Sequence, residues 1–369
     1  MRVLNIAVDS RPLLSPNNGI GRYLTNLLRE FATTNSPHRF YLYCERPFEL
    51  NFPLPDHWTI RTGALRFRGS GTLSWQLMFP QWARQDRIHV FWSPRHQLPL
   101  MLPSQCKKVL TVHDVVWKRF PETMSRGVLI LERVLVPCSL RIADQVITDS
   151  HFSKSEILSF LPEIRSKLDV VYLASSLRAD TETLPCPVVR PYFLAVGSYE
   201  PRKNLERMLR AYLHYRQGSS GSEPLDLVIA GTGQWGSFDA GRFIAENQLQ
   251  SCVHLIRGID DAVLCSLYAH ARALVMVSLY EGFGLPLVEA MQWGLPLIAS
   301  STSSVSEVAG DAGFIVDPLD IRSIALAFHR IGADGELCSV LSRKSQERGR
   351  QFSWQRTASE TMDLLTRNV

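Results

Sequence analysis

One segment near residue 280 limits the possible folds of this chain more than any other. Its apolar run Ala273–Val277 has the length and composition of a buried parallel strand. A glycine-rich turn follows, and Pro286 stands where a helix would begin, because the first turn of a helix needs no N–H donor at that position. A strand, a turn and a helix in this order predict an α/β fold with a parallel sheet.

The turn and helix of this segment carry two glycines and two acidic residues. Gly282 and Gly284 let the backbone come close to a ligand, and the N-terminus of the following helix presents unpaired N–H groups and partial positive charge. Glu281 lies in the turn and Glu289 about two helical turns later, so the carboxylates reach different parts of a ligand. The segment therefore predicts binding of a molecule with central phosphates and hydroxyls at both ends, such as a nucleotide-sugar.

The remainder of the chain repeats this alternation of short apolar strands and helical stretches, which predicts mostly parallel sheets. A chain of 369 residues is long enough for two domains. We predict a first domain over 1–185, a second domain over 190–350, and a last helix over 352–369 that crosses back to the first. The stretch 174–191 contains several residues that are unfavourable in helices, and it is interpreted as the linker.

Composition narrows the class of protein. With 45% hydrophobic and 20% charged residues, the chain has the composition of a globular protein. Its longest apolar runs are shorter than the roughly 18–20 residues needed to span a bilayer. Seven cysteines are scattered without metal-ligand spacing, which favours reduced thiols in the cytoplasm over a disulfide scaffold.

The basic residues are concentrated in the first half. Residues 1–190 carry 24 Lys and Arg against 16 Asp and Glu, which indicates an anionic partner such as a membrane surface or a phosphate-bearing acceptor. Ordinary solvated surface is the alternative, and the chain lacks the motifs of nucleic-acid binding. The aromatic stretch Trp75–Trp82 is interpreted as a core-facing helix, with an acceptor or membrane surface as the alternative. The segments 61–71 and 334–352 are interpreted as a loop and a polar stretch.

Candidate ligand contacts in the first domain lie in two loops. Gly19 and Gly21 precede a helix expected from about Arg22, so this loop is suited to approach phosphate or sugar, although a plain turn has the same pattern. His113 follows the apolar strand Lys107–Val112. Because ligands of open parallel sheets bind at the carboxyl ends of the strands, we predict a role at the site for His113, with a purely structural role as the alternative.

Candidate anion contacts in the second domain lie in its first strand-to-helix turn. Arg202 and Lys203 are adjacent there, and Asn204 is suited to cap a helix that begins at Leu205. A guanidinium fork and an ammonium group near a helix N-terminus form an anion site. A solvated pair of charges is the alternative.

Together these motifs resemble those of family four of the retaining nucleotide-sugar glycosyltransferases. The resemblance implies the GT-B fold, in which two Rossmann-like parallel-sheet domains face each other across a cleft. Its motifs span nearly the whole chain: Gly19-Ile-Gly21, His113-Asp114, Gly197 with Lys203-Asn204, Glu281-x7-Glu289, and the serines before Glu307. The Glu-Pro-Arg-Lys-Asn subgroup looks like bacterial transferases that build O-antigen, capsule or exopolysaccharide, often mannosyl- or rhamnosyltransferases.

The resemblance implies a role for each motif. The residues expected to act on the reacting sugar and diphosphate are His113, Arg202, Lys203 and Glu281. Those expected to bind the donor are Gly19, Gly21, Ser198, Gly258, Phe283, Gly284, Leu285 and Glu289. Within these sets, Lys203 and Arg202 would neutralise the leaving diphosphate, and Glu289 would accept hydrogen bonds from the ribose. Many members of the family have arginine where this chain has Ser198, which gives Arg202 more of the diphosphate to bind.

The resemblance further implies the reaction. A hexose, with mannose from GDP-mannose as the first expectation and UDP- or dTDP-sugars as rivals, would pass with retention to a polyprenyl-diphosphate-linked saccharide at the inner membrane face. A cytoplasmic enzyme is expected. No metal or other cofactor is expected, because the chain lacks an Asp-x-Asp motif at a suitable strand end and its cations would stabilise the diphosphate. The alternatives are a sugar-nucleotide epimerase, a phosphorylase of the same fold, and a catalytically silent relative that binds nucleotide-sugar.

Overall fold

Strands and helices alternate along almost the whole chain in the computed structural model, which describes residues 2–34, 36–63, 71–177, 179, 184–218, 223–231, 233 and 236–369. Two units result. The first contains Met1–Leu173 and Trp354–Val369, and the second contains Ala174–Ser353. Arg66 and Arg68 of the predicted loop lie outside the described residues, as do residues 180–183 of the predicted linker.

The first unit is built on a seven-stranded parallel sheet with the order β3-β2-β1-β4-β5-β6-β7. Its strands are β1 Asn5–Asp9, β2 Arg39–Cys44, β3 Thr59–Thr62, β4 Val90–Ser93, β5 Lys107–Thr111, β6 Gln145–Thr148 and β7 Leu168–Val170. Its helices before the second unit are α1 Gly19–Thr33, α2 Gly71–Gln85, α3 Val116–Arg119, α4 Arg126–Ile142 and α5 His151–Leu158. Every residue of β4 is buried, as expected for a central strand covered on both faces.

The second unit is built on a six-stranded parallel sheet with the order β10-β9-β8-β11-β12-β13. Its strands are β8 Tyr192–Val196, β9 Asp226–Ala230, β10 Val253–Ile256, β11 Ala273–Met276, β12 Leu297–Ser300 and β13 Gly313–Val316. Its helices are α6 Leu205–Gly218, α7 Ala240–Glu246, α8 Asp261–His270, α9 Leu285–Gln292, α10 Ser303–Ala309, α11 Ile321–Ala333 and α12 Gly335–Gly349. The two sheets confirm the predicted α/β class.

The last helix, α13 Trp354–Thr366, belongs to the first unit. Lys107 Nζ donates a hydrogen bond to the Leu364 carbonyl at 2.7 Å, and Thr357 Oγ1 donates to the Tyr172 carbonyl at 2.7 Å. Trp354 contacts Tyr23 of α1, with ring centroids 6.3 Å apart. The helix is therefore held by both hydrogen bonds and aromatic packing.

The aromatic stretch in α2 faces the core, as predicted. Trp75, Phe79 and Trp82 are buried, and the Arg11 guanidinium lies 3.7 Å from the centroid of the Trp75 ring. Arg11 is itself paired with the buried Asp9. The alternative, in which these rings form an acceptor or membrane surface, is not supported by their burial.

Several predicted boundaries were wrong. Helix α1 begins at Gly19 rather than near Arg22, because Asn18 Oδ1 accepts the Gly21 N–H at 2.7 Å and caps the helix earlier. The segment 61–71 is not a loop throughout, since β3 includes its first two residues. No element was predicted in the polar stretch 334–352, and most of it is the helix α12.

All seven cysteines are free. Among the described residues, every helix is too short or too polar to cross a membrane.

Candidate functional site

Each sheet has one place where the strand order reverses, and in the second unit two predicted site residues, Lys203 and Glu281, meet there. In the first unit the reversal lies between β1 and β4, and in the second it lies between β8 and β11. Connections leave such neighbouring strands in opposite directions, which opens a crevice at their carboxyl ends where ligands bind. The loops after β8 and β11 carry Lys203 and Glu281, so these two motifs of the second unit meet at this crevice.

The turn after β8 is fixed by backbone conformation and by one buried amide. Gly197 has a φ of +149° and Asn204 a φ of +61°, and a short 3₁₀ turn over Pro201–Lys203 lies between them. Asn204 Nδ2 donates to the carbonyls of Val277 at 3.0 Å and Pro318 at 2.7 Å. The predicted cap is therefore corrected: the Asn204 side chain joins this turn to the end of β11.

Glu281 brings the two cations of the turn together. Its Oε1 accepts a hydrogen bond from Lys203 Nζ at 2.6 Å, and its Oε2 accepts one from Arg202 Nη1 at 2.9 Å. Arg202 also pairs with Glu200 at 2.7 Å. The Glu281 carboxylate is buried, so these bonds act where water screens charge weakly.

The electrostatics of Glu281 follow from this arrangement. Burial by itself would raise the pKa of the carboxyl group, but the charges of Lys203 and Arg202, with hydrogen bonds from Lys203 and Ser278, more than offset burial. The pKa of Glu281 therefore lies below its usual value, and the group is ionised at neutral pH. A charged triad of one carboxylate and two cations results.

Sequence reasoning did not assign Glu200, although it stands within the quoted Glu-Pro-Arg-Lys-Asn motif. Its carboxylate accepts hydrogen bonds from Arg202 and from the Ser198 hydroxyl. Ser198, predicted to contact the donor, is thus joined to the triad through Glu200. The signal available in the sequence was an acidic residue two positions before the arginine, a spacing that a tight turn converts into an ion pair.

Glu289 is held on the first turns of α9. Gly284 precedes that helix with a φ of +102°, and Pro286 occupies its first turn, as predicted. Glu289 is buried, and its Oε2 accepts a hydrogen bond from the Tyr268 hydroxyl at 2.8 Å. Tyr268 stacks on Trp293 with ring centroids 5.2 Å apart. The carboxylate therefore has a fixed position on a packed aromatic support.

The other predicted donor contacts of the second unit lie around this core. Phe283 is buried against Phe352, with ring centroids 5.9 Å apart. Leu285 is the first residue of α9. Gly258 follows β10 with a φ of +66°, and a Cβ atom added there would meet open space. Contact of the Gly258 backbone with the donor stays a prediction.

In the first unit, His113 uses both ring nitrogens on protein groups. Nδ1 lies 2.7 Å from Asp149 Oδ2, and Nε2 lies 3.0 Å from the Pro94 carbonyl. Burial would lower the pKa of His113, but Asp149 and the Pro94 carbonyl raise it above the usual value. Both ring nitrogens are therefore occupied by protein groups, and a direct bond to a sugar would require one of these two bonds to open.

His96 lies beside His113. Burial lowers the pKa of His96 to about 4, so the ring is neutral and its Nε2 accepts the backbone N–H of His113 at 3.3 Å. Sequence reasoning missed this pairing, because His96 and His113 follow different strands.

Gly19 and Gly21 lie at the start of α1. A Cβ atom at Gly21 would stand 2.3 Å from the Ser15 carbonyl oxygen and 2.8 Å from the Pro16 Cα. The glycine is therefore required by its own loop. This close packing explains Gly21 without a ligand, and contact of the loop with phosphate or sugar stays a prediction.

Comparison with known proteins shows which family this chain is similar to. A family model described as "Glycosyl transferases group 1" matches residues 180–348. The O-antigen chain mannosyltransferase B of Escherichia coli is 28% identical over 98% of this chain and 99% of its own length. The serotype-specific mannosyltransferase WbdA of Escherichia coli is 25% identical over a region that covers 76% of this chain and 36% of that protein.

A solved structure shows the same fold. HepE of Anabaena, in complex with UDP and glucose, superimposes with a TM-score of 0.72 at 17% identity, over 98% of this chain and 99% of that one. The GT-B fold and the family resemblance predicted from the motifs are thereby confirmed. This chain has the GT-B fold and resembles the group 1 glycosyltransferases, whose family model matches its residues 180–348.

Proposed function

We propose that this glycosyltransferase moves mannose, with retention of anomeric configuration, from a nucleoside-diphosphate sugar to a growing bacterial surface saccharide. The observation that carries the proposal is the contact of Lys203 and Arg202 with one buried carboxylate, Glu281, at the strand reversal of the second unit. The names of the mannosyltransferase relatives support mannose as the transferred sugar and a bacterial saccharide as the acceptor. Resemblance to a retaining family supports retention.

The two cations suit the leaving group. Cleavage of the bond between the sugar and the diphosphate places negative charge on phosphate oxygens. An ammonium group has three donors, and Glu281 takes one donor of Lys203 at 2.6 Å. Preorganised donors of this kind stabilise charge that develops in the transition state. We therefore propose that Lys203 and Arg202 compensate the diphosphate and that the reaction needs no metal ion.

Glu281 and Glu289 suit the two ends of the donor. Glu281 keeps the cations in place and, with the backbone at Phe283 and Gly284, would orient the sugar. Glu289 accepts a hydrogen bond from the Tyr268 hydroxyl, which fixes the position of its carboxylate. We propose that this carboxylate accepts hydrogen bonds from the ribose hydroxyls. In a nucleotide-sugar bound in this way, the hydroxyl-bearing ends lie at the two carboxylates, and the phosphates between those ends lie at Lys203 and Arg202.

The acceptor side of the proposal involves the first unit. We propose that the acceptor is a saccharide linked to polyprenyl diphosphate and that the enzyme works at the inner face of the cell membrane. The support is the excess of basic residues in the first half of the sequence, because anionic headgroups and diphosphates attract such surfaces. The relative named O-antigen chain mannosyltransferase B agrees with a growing chain as acceptor.

The first experiment is a thermal-shift screen with GDP, UDP, dTDP and their common sugars in the presence of EDTA. A ligand that binds only the folded protein raises its melting temperature by mass action. We expect GDP and GDP-mannose to raise it. If the melting temperature rose only when a divalent cation replaced EDTA, the proposed metal independence would be wrong. If it rose only with UDP or dTDP, the donor would carry that base in place of guanine.

The second experiment measures transfer. Purified enzyme, GDP-mannose and a lipid-linked acceptor extract should give GDP and an extended saccharide whose new linkage is α by NMR. Epimerised or free sugar formed without acceptor would indicate an epimerase. Tight nucleotide binding without turnover would indicate a silent relative.

A further inference from the structure

The first unit has a cavity of about 510 Å³ at the edge of its sheet where the strands begin. Its lining includes Arg2, His89 and Gln105, which come just before β1, β4 and β5. His113, by contrast, follows the carboxyl end of β5. A strand rises about 3.3 Å per residue, so strands of four or five residues separate the two edges by about 13–17 Å. This cavity, which we call the amino-edge cavity, is therefore distinct from the crevice at the carboxyl ends.

The lining of the amino-edge cavity combines buried apolar residues with exposed cations. A volume of this size is typical of sites for small molecules. The buried apolar lining residues are Ala83, Ile88 and Pro103, and the exposed cationic ones are Arg2, Arg84 and Arg87. Apolar contact and positive charge are thus available to one and the same ligand.

The three arginines have no acidic partner at the cavity. Among the residues that the structure describes, the lining contains no aspartate or glutamate. The ion pairs of this unit are formed by other arginines, such as Arg11 with Asp9 and Arg61 with Asp86. Three guanidinium groups around one cavity repel one another when no anion is present, and together they attract an anion.

The backbone of Arg87 supports a role for its side chain. Arg87 follows the end of α2 with a φ of +50°, a conformation that favours glycine at the end of a helix. This conformation is held by Asn5 Nδ2, which donates to the carbonyls of Asp86 at 2.9 Å and Arg87 at 3.3 Å. An arginine at a position where glycine would be free of strain is explained if its guanidinium group binds a ligand.

His89 and Lys107 add a donor and a further positive charge to the lining. His89 Nδ1 accepts the backbone N–H of Asn5 at 3.0 Å, so the neutral ring carries its proton on Nε2 as a donor. Burial, with the charge of Arg2, lowers the pKa of His89. Burial, with the charge of Arg367, lowers the pKa of Lys107 to about 8. In both cases a neighbouring arginine opposes a second positive charge, as expected where cations gather.

We propose that the amino-edge cavity binds a small organic phosphate, with its phosphate oxygens on Arg2, Arg84 and Arg87 and its carbon skeleton on the apolar lining. Guanidinium groups suit this ligand because they bind phosphate oxygens through paired, charge-assisted hydrogen bonds. The site requires neither the proposed donor nor turnover. Lys107, which also lines the cavity, donates to the Leu364 carbonyl at the end of α13 at 2.7 Å. A bound phosphate would therefore stabilise the attachment of α13 to β5.

The test follows the melting temperature of the full-length protein as inorganic phosphate or phenyl phosphate is added at constant ionic strength. A ligand of the folded state raises the melting temperature with a dependence on concentration that gives its Kd. We expect both probes to bind, and phenyl phosphate to bind more tightly because its ring can contact the apolar lining. The variant Arg84→Gln, Arg87→Gln should bind both probes at least about tenfold more weakly, since it removes charged donors.

Two further variants separate binding from folding and from loss of charge. Arg87→Gly should melt close to the wild type, because glycine adopts a φ of +50° without strain, yet it should bind phenyl phosphate more weakly. The control Arg126→Gln, Arg133→Gln removes two exposed arginines of α4 in the same unit and should bind both probes like the wild type.

Lys203→Ala and hydrogen exchange locate the probe. An anion in the amino-edge cavity should bind Lys203→Ala as well as the wild type, whereas an anion at the donor site should bind it more weakly. Bound phenyl phosphate should also slow hydrogen exchange in peptides that cover residues 84–89 and the end of α13.

Several results would overturn the proposal. Neither probe could bind the wild type saturably, or the Arg84, Arg87 variant could bind both as well as the wild type does. Loss of binding in Lys203→Ala would place the anion at the donor site, and equal affinity for the two probes would exclude an organic ligand. Binding to phosphatidylglycerol vesicles but to neither free probe would assign the arginines to lipid headgroups. Failure of GDP to raise the melting temperature would count against the proposed donor alone.

Discussion

Lys203 and Arg202 share the carboxylate of Glu281, and this shared partner determines how each of them can meet a diphosphate. Two adjacent cations without a counter-ion would repel one another in a partly buried turn. Glu281 removes that repulsion and fixes both side chains before a ligand arrives. The site is thus preorganised, and little free energy is required to order these side chains during reaction.

Lys203→Ala is expected to lower kcat/KM at least about a hundredfold, because it removes an ammonium group from the developing charge of the diphosphate. The fold should survive, since Arg202 continues to neutralise Glu281. Steady-state kinetics and the melting temperature of the purified variant measure the two effects. The control is Lys344→Ala, which removes an exposed lysine paired with Asp311 in the same unit and should leave kcat/KM unchanged. Near-normal turnover of Lys203→Ala would exclude this lysine from the site.

Glu281→Gln is expected to destabilise the protein by about 3 kcal/mol at neutral pH, because it leaves two cations without their buried partner. The pKa of Glu281 is lowered in the folded protein, so its contribution to stability is complete above about pH 4.3, the usual value for glutamate. That contribution is lost as the pH falls through the lower folded value. Urea unfolding of both proteins between pH 3 and 7 should show a difference that shrinks in acid. A difference independent of pH would mean that the carboxylate charge is not what stabilises the turn.

The residues of the second unit were easier to predict from the sequence than those of the first. Lys203 and Glu281 stand in turns directly after apolar strands, so their meeting follows from the rule that parallel strands place their carboxyl ends together. The partners of His113 do not follow from that rule. Pro94 and Asp149 come after β4 and β6, and only the strand order β4-β5-β6 puts them on either side of the imidazole.

At the scale of elements, two turns of the second unit depend on one glycine. A Cβ atom at Gly231, directly after β9, would stand 1.8 Å from the carbonyl oxygen of Gly197. That oxygen belongs to the backbone of the turn that leads to Lys203. The two neighbouring strands β8 and β9 can therefore end side by side only if the second turn has no side chain at this position.

Gly231→Ala is expected to destabilise the second unit by about 3 kcal/mol or more, because the clash involves backbone that cannot rotate away. Displacement of the turn should also weaken the nucleotide-induced thermal shift. The control is Gly335→Ala at the start of α12, where an added Cβ meets nothing within 4 Å, and this variant should be at least as stable as the wild type. Wild-type stability and nucleotide binding in Gly231→Ala would show that the two turns can separate.

Two of the elements that sequence analysis missed have weak apolar patterns. β3 is the edge strand Thr59–Thr62, and its four residues are exposed or half-buried, so no apolar run indicates it. Helix α12 buries only the narrow stripe of Cys338, Leu341, Ser345 and Gly349. Two of those four residues are polar or lack a side chain, which conceals the helical period. The central strands were predicted because burial on both faces requires continuous apolar sequence.

At the scale of the whole molecule, the chain leaves the first unit at Leu173 and returns to it at Trp354. The stability of the first unit therefore depends on a helix encoded at the far end of the sequence. Helix α13 buries Thr357, Thr361, Leu364 and Leu365, and it lies against α1. A chain truncated before Trp354 would lack part of the core of its first unit.

Leu365→Ala is expected to destabilise the first unit by about 2–5 kcal/mol, since Leu365 is fully buried and its truncation leaves a cavity. Hydrogen exchange should then accelerate in peptides from α1 and α13, while peptides from β8 to β13 keep their protection and the nucleotide-induced shift persists. The control is Arg356→Ala on the same helix, an exposed residue with an i,i+4 partner in Glu360, which should change stability by no more than about 0.5 kcal/mol. Equal acceleration in both units would instead show that they unfold as one cooperative body, so that the returning helix stabilises the entire enzyme.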